Sequence, residues 1–292
     1  MLQNQIQNIK FCGYNFILVY QMYKYLLFAL FGISRAYDVD QISRCVWLSG
    51  AAYCDKNTYD TMQIGGPATG FILNNTLYDP KTDIQGYTGI MHEYESIYVA
   101  LRGSSSIKNW LDDFEVRLTD YTTFPECDCQ VHTGFYKSAT AIRENTIRSV
   151  KNMLQLYPSY SVIVTGHSYG AAVGQLLAME LKHAGIKSQV YNFGQPRIGD
   201  SNYAKFASAE LDEYWRVTHD RDIVPHVPPI KGFGYKHSCR EVFEDSNGQL
   251  HMCSETDCED PKCAEQYNLV QTSAMEHTNY LGHFMTCGES TI

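Results

Sequence analysis

From residue 38 onward, apolar residues recur with two alternating periods. Residues 38–54 place Ile42, Val46 and Ala51 among apolar positions at helical spacing, which predicts a helix. Residues 96–101 (SIYVAL) predict a strand. Residues 135–156 predict a long helix ending before Pro158, since proline cannot continue a helix. Residues 160–165 (YSVIVT) are rich in β-branched side chains and carry no charge, as in a strand buried on both faces. Residues 169–184 predict a helix closed by Gly185. Residues 189–193 and 213–218 predict two more strands. Residues 239–243 and 249–253 flank Asp245-Ser246-Asn247-Gly248 and predict a hairpin. Pro225, Pro228 and Pro229 mark a loop. This alternation predicts an α/β fold with a mostly parallel central sheet flanked by helices. No repeat, low-complexity stretch or linker divides it, so residues 37–292 read as one domain.

The first 36 residues follow another pattern. They hold Lys10, Lys24 and Arg35 but no acid, then the apolar run YLLFALFGI over residues 25–33. Ser34 and Ala36 supply small residues at −3 and −1, the form of a secretory signal cleaved after Ala36. Nine helical residues reach only ~14 Å of the roughly 30 Å hydrocarbon core. A longer anchor over residues 16–33 would reach ~27 Å, but Gln21 and Lys24 interrupt it. The polar opening MLQNQIQNIK is unusual for a signal, and initiation at Met22 would give a more typical one. The expected mature chain begins at Tyr37 and is secreted.

Composition narrows the function. Apolar residues at 44% and charged residues at 19% exclude a disordered, collagen-like or coiled-coil chain. Lys plus Arg is 23 and Asp plus Glu 32, a formal charge of −9, which disfavours nucleic-acid binding. Removing the leader takes away three basic residues and no acid. The mature chain then has 256 residues and a charge of −12.

The sharpest chemical feature is Gly166-His167-Ser168-Tyr169-Gly170, between the predicted buried strand and the helix that follows. A G-x-S-x-G pentapeptide alone is weak, but in strand–turn–helix context it marks a nucleophile turn. The glycines give a sharp turn room, and the helix start offers free N–H groups to an oxyanion. A serine hydroxyl needs a base, and the base an orienting acid, in the chain order Ser, acid, His. Asp222 lies just past a predicted strand end, with Asp220 as its main competitor and Asp200 as a weaker one. His277 and His283 both suit the base and are not separated by position. His226 and His237 lie too close to the acid loop to be preferred. His219, His226 and His251 read as structural.

After the SIYVAL strand comes Arg102-Gly103-Ser104-Ser105-Ser106. Ser104, through its N–H and hydroxyl, and the Tyr169 N–H are the candidate oxyanion donors. Loss of one such donor typically costs about 2.7–4 kcal/mol. Ile107, Trp110, Leu111 and Phe114 follow at i, i+3, i+4 and i+7, a short apolar helical stripe. A core-facing surface helix is the plain reading. Its position beside the oxyanion loop favours a lid that turns its apolar face to lipid. The acidic chain gains nothing by charge on anionic lipid, so adsorption is expected to rest on this stripe.

With these pieces in place, the sequence resembles the class 3 triacylglycerol lipases, the family of the fungal secreted lipases. RGSSSIKNWLDD, VHTGFY, VTGHSYGAA, YNFGQPRIGD, THDRDIVP and EHTNYLG stand in the family order over roughly residues 51–288. The resemblance implies an α/β-hydrolase fold and the triad Ser168, Asp222 and His277. It also implies Ser104 as the oxyanion residue and Trp110 as a lid aromatic. It implies ester hydrolysis without a cofactor, on a lipid substrate, by a monomer. Glu276 and Leu281 depart from the family's usual Asp and Phe. The cysteine-rich stretch 239–263 has no counterpart in the fungal lipases compared.

Cys12 lies in the expected leader, so nine cysteines remain and one is left over. The resemblance implies a Cys45–Cys287 bridge from first helix to tail. Cys239 with Cys253 across the hairpin and Cys258 with Cys263 complete the expectation. The odd thiol then falls among Cys54, Cys127 and Cys129. A zinc site from the C-x4-C-x4-C run and Cys239 matches no usual ligand spacing. Asn74-Asn75-Thr76 is an N-glycosylation sequon. Within hydrolases the alternatives are a phospholipase A and a feruloyl-type esterase. Outside them stands a non-catalytic lipid-binding relative.

Overall fold

The computed structural model describes residues 37–112 and 115–292. The expected leader and Phe114 of the expected lid lie outside the described residues. In chain order the strands are β1 (Ile72–Asp79), β2 (Ile84–Met91), β3 (Ser96–Leu101), β4 (Leu118–Asp120), β5 (Gln130–His132), β6 (Ser161–His167) and β7 (Gln189–Phe193). Then follow β8 (Gly199–Asp200), β9 (Glu213–His219), β10 (Tyr235–Lys236), β11 (Glu241–Glu244), β12 (Leu250–Met252), β13 (Asn279–Tyr280) and β14 (His283–Phe284). Among the described residues the main sheet runs β1-β2-β3-β6-β7-β9-β11-β12. The five strands from β3 to β11 are mutually parallel, and β1, β2 and β12 add antiparallel edges. This is the expected α/β-hydrolase sheet. A small antiparallel sheet, β10-β8-β5-β4, stands apart from it.

The helices form where the apolar spacing places them. His132 caps Thr133–Leu156, its Nδ1 accepting from the N–H groups of Gly134 and Phe135. That helix stops at Tyr157, because the residue before Pro158 is disfavoured in helical backbone. Tyr169–His183 ends in a Schellman turn: Gly185, at φ +78°, donates to the Lys182 carbonyl, and Ile186 N–H to that of Leu181. Ala172, Leu176 and Leu177 of this helix pack with Val162 and Val164 of β6 in the main core.

The β1–β2 pair was not foreseen. β2 (IQGYTGIM) is buried throughout, yet its polar residues hide that in the sequence. Gln85 donates to the carbonyls of Ala52 and Cys54, and the Thr88 hydroxyl meets that of Ser149 at 2.6 Å.

The disulfide pairing corrects the expectation. Cys54, not Cys45, bridges Cys287, and Cys127 bridges Cys129. Cys239 pairs with Cys258 and Cys253 with Cys263. The β11–β12 hairpin forms as expected, but Val242 faces Met252, so Cys253 lies beside Glu241 and Cys239 extends past the pairing. Cys45 points into the core, fully buried, accepting from Gln41 Nε2 at 3.3 Å. It is the free thiol among the described residues, and burial pushes its pKa up to about 12. Glu241 converges on Cys253 and Cys263, but their sulfurs are bonded to each other and unavailable to a metal.

A thiol titration checks the pairing. Residues 37–292 should show no reactive thiol when folded and one in denaturant, mapping to Cys45; alkylation at Cys54 or Cys287 would contradict the bridge.

Candidate active site

The loop between β6 and the helix after it turns at Ser168, whose φ is +58° and ψ −126°. An L-residue held there costs about 1–3 kcal/mol. The neighbours make it tolerable. A Cβ on Gly166 would stand 2.5 Å from the Gly170 carbonyl oxygen. A Cβ on Gly170 would stand 2.5 Å from the carbonyl oxygens of Leu101 and Arg102. Both flanking glycines are therefore steric requirements, as the pentapeptide predicts. The contact at Gly170 also presses the exit of β3 against the turn. Ser104 and Tyr169 consequently line one cavity of about 270 Å³, together with Trp110. Tyr169 is the first residue of its helix, so its N–H has no intrahelical acceptor.

Asp222 lies beyond the end of β9, buried with every oxygen engaged. Its Oδ1 accepts the Val224 N–H at 2.8 Å, and its Oδ2 accepts His277 Nδ1–H at 2.7 Å. The Tyr280 hydroxyl also donates to Oδ2. Burial, then the Asp222 charge, holds the Tyr280 pKa well above its ordinary value, so it remains a donor. With Nδ1 committed to the carboxylate, His277 keeps Nε2 free as a base. His277 Nε2 and Ser168 Oγ are both buried and without a hydrogen-bond partner among the described residues. A buried polar atom without a partner calls for an explanation, and a reacting group is one. The base loop is laced to the acid loop by the Ser273 N–H donating to the Arg221 carbonyl at 2.7 Å.

The competing residues are engaged elsewhere. Asp220 accepts from the Tyr267 hydroxyl, and Asp200 caps the Ser201–Glu210 helix. His283 lies 2.8 Å from the Ser290 hydroxyl and stacks on Trp47. His226 faces the carbonyls of Asp222 and Ala264, and His237 that of Pro225. His219 meets the Glu276 carbonyl, and His251 pairs with Asp245 at the surface.

Sequence reasoning missed a second layer. His167, the variable position of the pentapeptide, is buried with its ring 4.3 Å from that of His277. Its Nε2–H donates to the His277 carbonyl at 2.8 Å, and its Nδ1 accepts from the Tyr53 hydroxyl at 2.7 Å. That hydroxyl in turn accepts the Gly103 N–H. Burial first, and then His277, drives the His167 pKa well below its usual value, so it stays neutral. The chain Gly103–Tyr53–His167–His277 ties the loop after β3 to His277. The signal was present only as the histidine beside Ser168; nothing local marks Tyr53.

Ile107, Trp110 and Leu111 lie on the helix Ile107–Asp112, each half-buried. Ser106 starts it, its carbonyl accepting from the Trp110 N–H. Trp110 packs against the main core. The chain beyond is anchored, because His132 Nε2–H donates to the Glu115 carbonyl and the Tyr235 hydroxyl to that of Val116. Ser168 and His277 are completely shielded from solvent. Among the described residues no helix is long and apolar enough to cross a membrane.

The sheet order and the strained serine turn define an α/β hydrolase. The chain belongs to the class 3 lipase family: the model of that family matches residues 98–232. The chain is 32% identical over 222 residues to secreted mono- and diacylglycerol lipase A of Penicillium cyclopium, over 70% of each chain. It is 35% identical over 195 residues to a lipase of Rhizomucor miehei, covering 64% of this chain and 52% of that one. The match thus spans about half of that relative's length. The solved triacylglyceride lipase of Rhizomucor miehei superposes with a TM-score of 0.78 at 28% identity, over 87% of this chain and 99% of that one.

Tyr53→Phe removes the donor to the His167 Nδ1 and leaves that buried atom unsatisfied. Urea unfolding should show a loss of about 1–3 kcal/mol; unchanged stability would contradict the chain of contacts.

Proposed function

We propose that the protein is a secreted lipase that hydrolyses carboxylic esters of acylglycerols at an oil–water interface, as a monomer. One observation carries the reading: Ser168 Oγ and His277 Nε2 are the buried unpartnered atoms of a seryl–imidazole–carboxylate set. Ser168 attacks the ester carbonyl while His277 Nε2 takes its proton, and Asp222 stabilises the imidazolium. The Tyr169 N–H, with the N–H and hydroxyl of Ser104, holds the oxyanion. The tetrahedral species collapses, His277 gives the proton to the leaving alcohol, and a serine acyl ester remains. Water activated by His277 releases the fatty acid. These steps need no cofactor.

The shielded nucleophile supports a moving cover. Residues 107–114 serve as the lid, swinging between the Ser104 loop and the anchored Glu115, and Trp110 and Leu111 meet the lipid. Residues 1–36 act as a removed leader and residues 37–292 as the catalytic domain. Four disulfides and the relatives named as secreted support an oxidising compartment.

The test compares emulsified long-chain glyceride, phospholipid vesicles and a soluble feruloyl ester. Glyceride turnover should rise sharply above its solubility limit, and Ser168→Ala should lower kcat by about 10⁶-fold. Preference for phospholipid would make it a phospholipase A. Smooth saturation on the soluble ester would make it a polar-ester esterase. No turnover of any of the three would leave a non-catalytic lipid-binding relative, and turnover indifferent to Ser168→Ala would contradict the serine mechanism.

A further inference from the structure

The two edges of the main sheet are unequal. β12 is three residues long, and its short hairpin is held beside two disulfides. β1 is eight residues long and pairs with β2 alone among the described strands. An open edge of that length is a template for pairing with another chain. Proteins usually blunt such edges with lysine, proline or a bulge. β1 (ILNNTLYD) has neither lysine nor proline of its own, and a single bulge is its only such device; Ile72 is 50% exposed and Tyr78 38%, with the Lys56 ammonium over the Tyr78 ring.

Its single interruption falls at the sequon. Leu73 faces Gly89 and Asn75 faces Thr88, so Asn74 is the extra, unpaired residue of a β-bulge. Asn74 is exposed. Its Oδ1 accepts the Ser149 hydroxyl of the Thr133–Leu156 helix at 2.8 Å, which fixes the amide plane. Its Nδ2 donates to nothing among the described residues, whereas Asn75 Nδ2 is engaged by Asn145.

We propose that Asn74 carries an N-linked oligosaccharide that covers the open β1 edge and keeps two copies from pairing there. In the transfer, Asn74 Nδ2 releases one proton to solvent and bonds to C1 of the sugar. The bond from C1 to the pyrophosphate oxygen of a lipid-linked oligosaccharide donor breaks, and the lipid pyrophosphate leaves with the electron pair. Asn74 Oδ1 keeps its contact to Ser149, so the folded site accommodates the product. The assignment does not depend on which ester the enzyme cleaves.

The test uses the full chain made in a eukaryotic secretory host. Amidase removal of N-glycans in ¹⁸O water should lower the intact mass by one glycan and label position 74 as ¹⁸O-aspartate. Thr76→Ala abolishes the sequon while sparing Asn74 and its contact. That variant should self-associate by light scattering where the wild type stays monodisperse, with soluble-ester turnover per folded molecule unchanged. Adding Ile72→Lys, a charge on the same edge, should restore monodispersity. An unmodified Asn74 overturns the assignment. A glycosylated Asn74 whose loss leaves association unchanged overturns the edge role.

Discussion

Ser168 sits in a backbone conformation that an L-residue resists, and the architecture around it exists to hold it there. The contact that does so is the approach of the β3 exit to Gly170, too close for any side chain. The same contact fixes three things together. It sets the serine at the end of a buried strand, starts the next helix at Tyr169, and brings Ser104 and Tyr169 to one cavity. A larger residue at either glycine would disturb Ser168 and the loop that carries Ser104 at once.

The second layer extends this constraint to the base. Both Asp222 carboxylate oxygens are engaged, Oδ1 by Val224 and Oδ2 by His277 and Tyr280, which holds the imidazole through its Nδ1. His167 and Tyr53 then connect the backbone of His277 to that of Gly103. In a site without solvent, such connected polar groups are rigid when satisfied and costly when broken. Of the Ser168, Asp222 and His277 side chains, only Ser168 Oγ and His277 Nε2 lack a partner among the described residues.

Much of this was legible along the chain because it is local. The strand–turn–helix at Ser168, the Schellman end at Gly185 and the stripe from Ile107 all follow from neighbours a few residues apart. The choice of Asp222 over Asp220, and of His277 over His283, was not local. It came from family resemblance; in the fold Asp220 and His283 contact Tyr267 and Ser290, whereas Asp222 and His277 contact each other. β2 escaped notice because its buried polar residues find partners as distant as Ala52 and Ser149. The disulfides were misassigned for a related reason. Cys45 and Cys54 lie on one predicted segment, but the helix ends at Ala51: Cys45 on it is turned to the core, and Cys54 in the turn beyond bridges to the tail.

The central claim is that Ser168 is a nucleophile activated by His277 and Asp222 and shielded until an interface opens the site. Covalent labelling by an uncharged alkyl fluorophosphonate, located by tandem mass spectrometry, tests it most directly. The account predicts a single phosphonyl adduct, on Ser168, forming faster when a glyceride emulsion is added. An adduct on another residue, or no adduct with or without the emulsion, would contradict it.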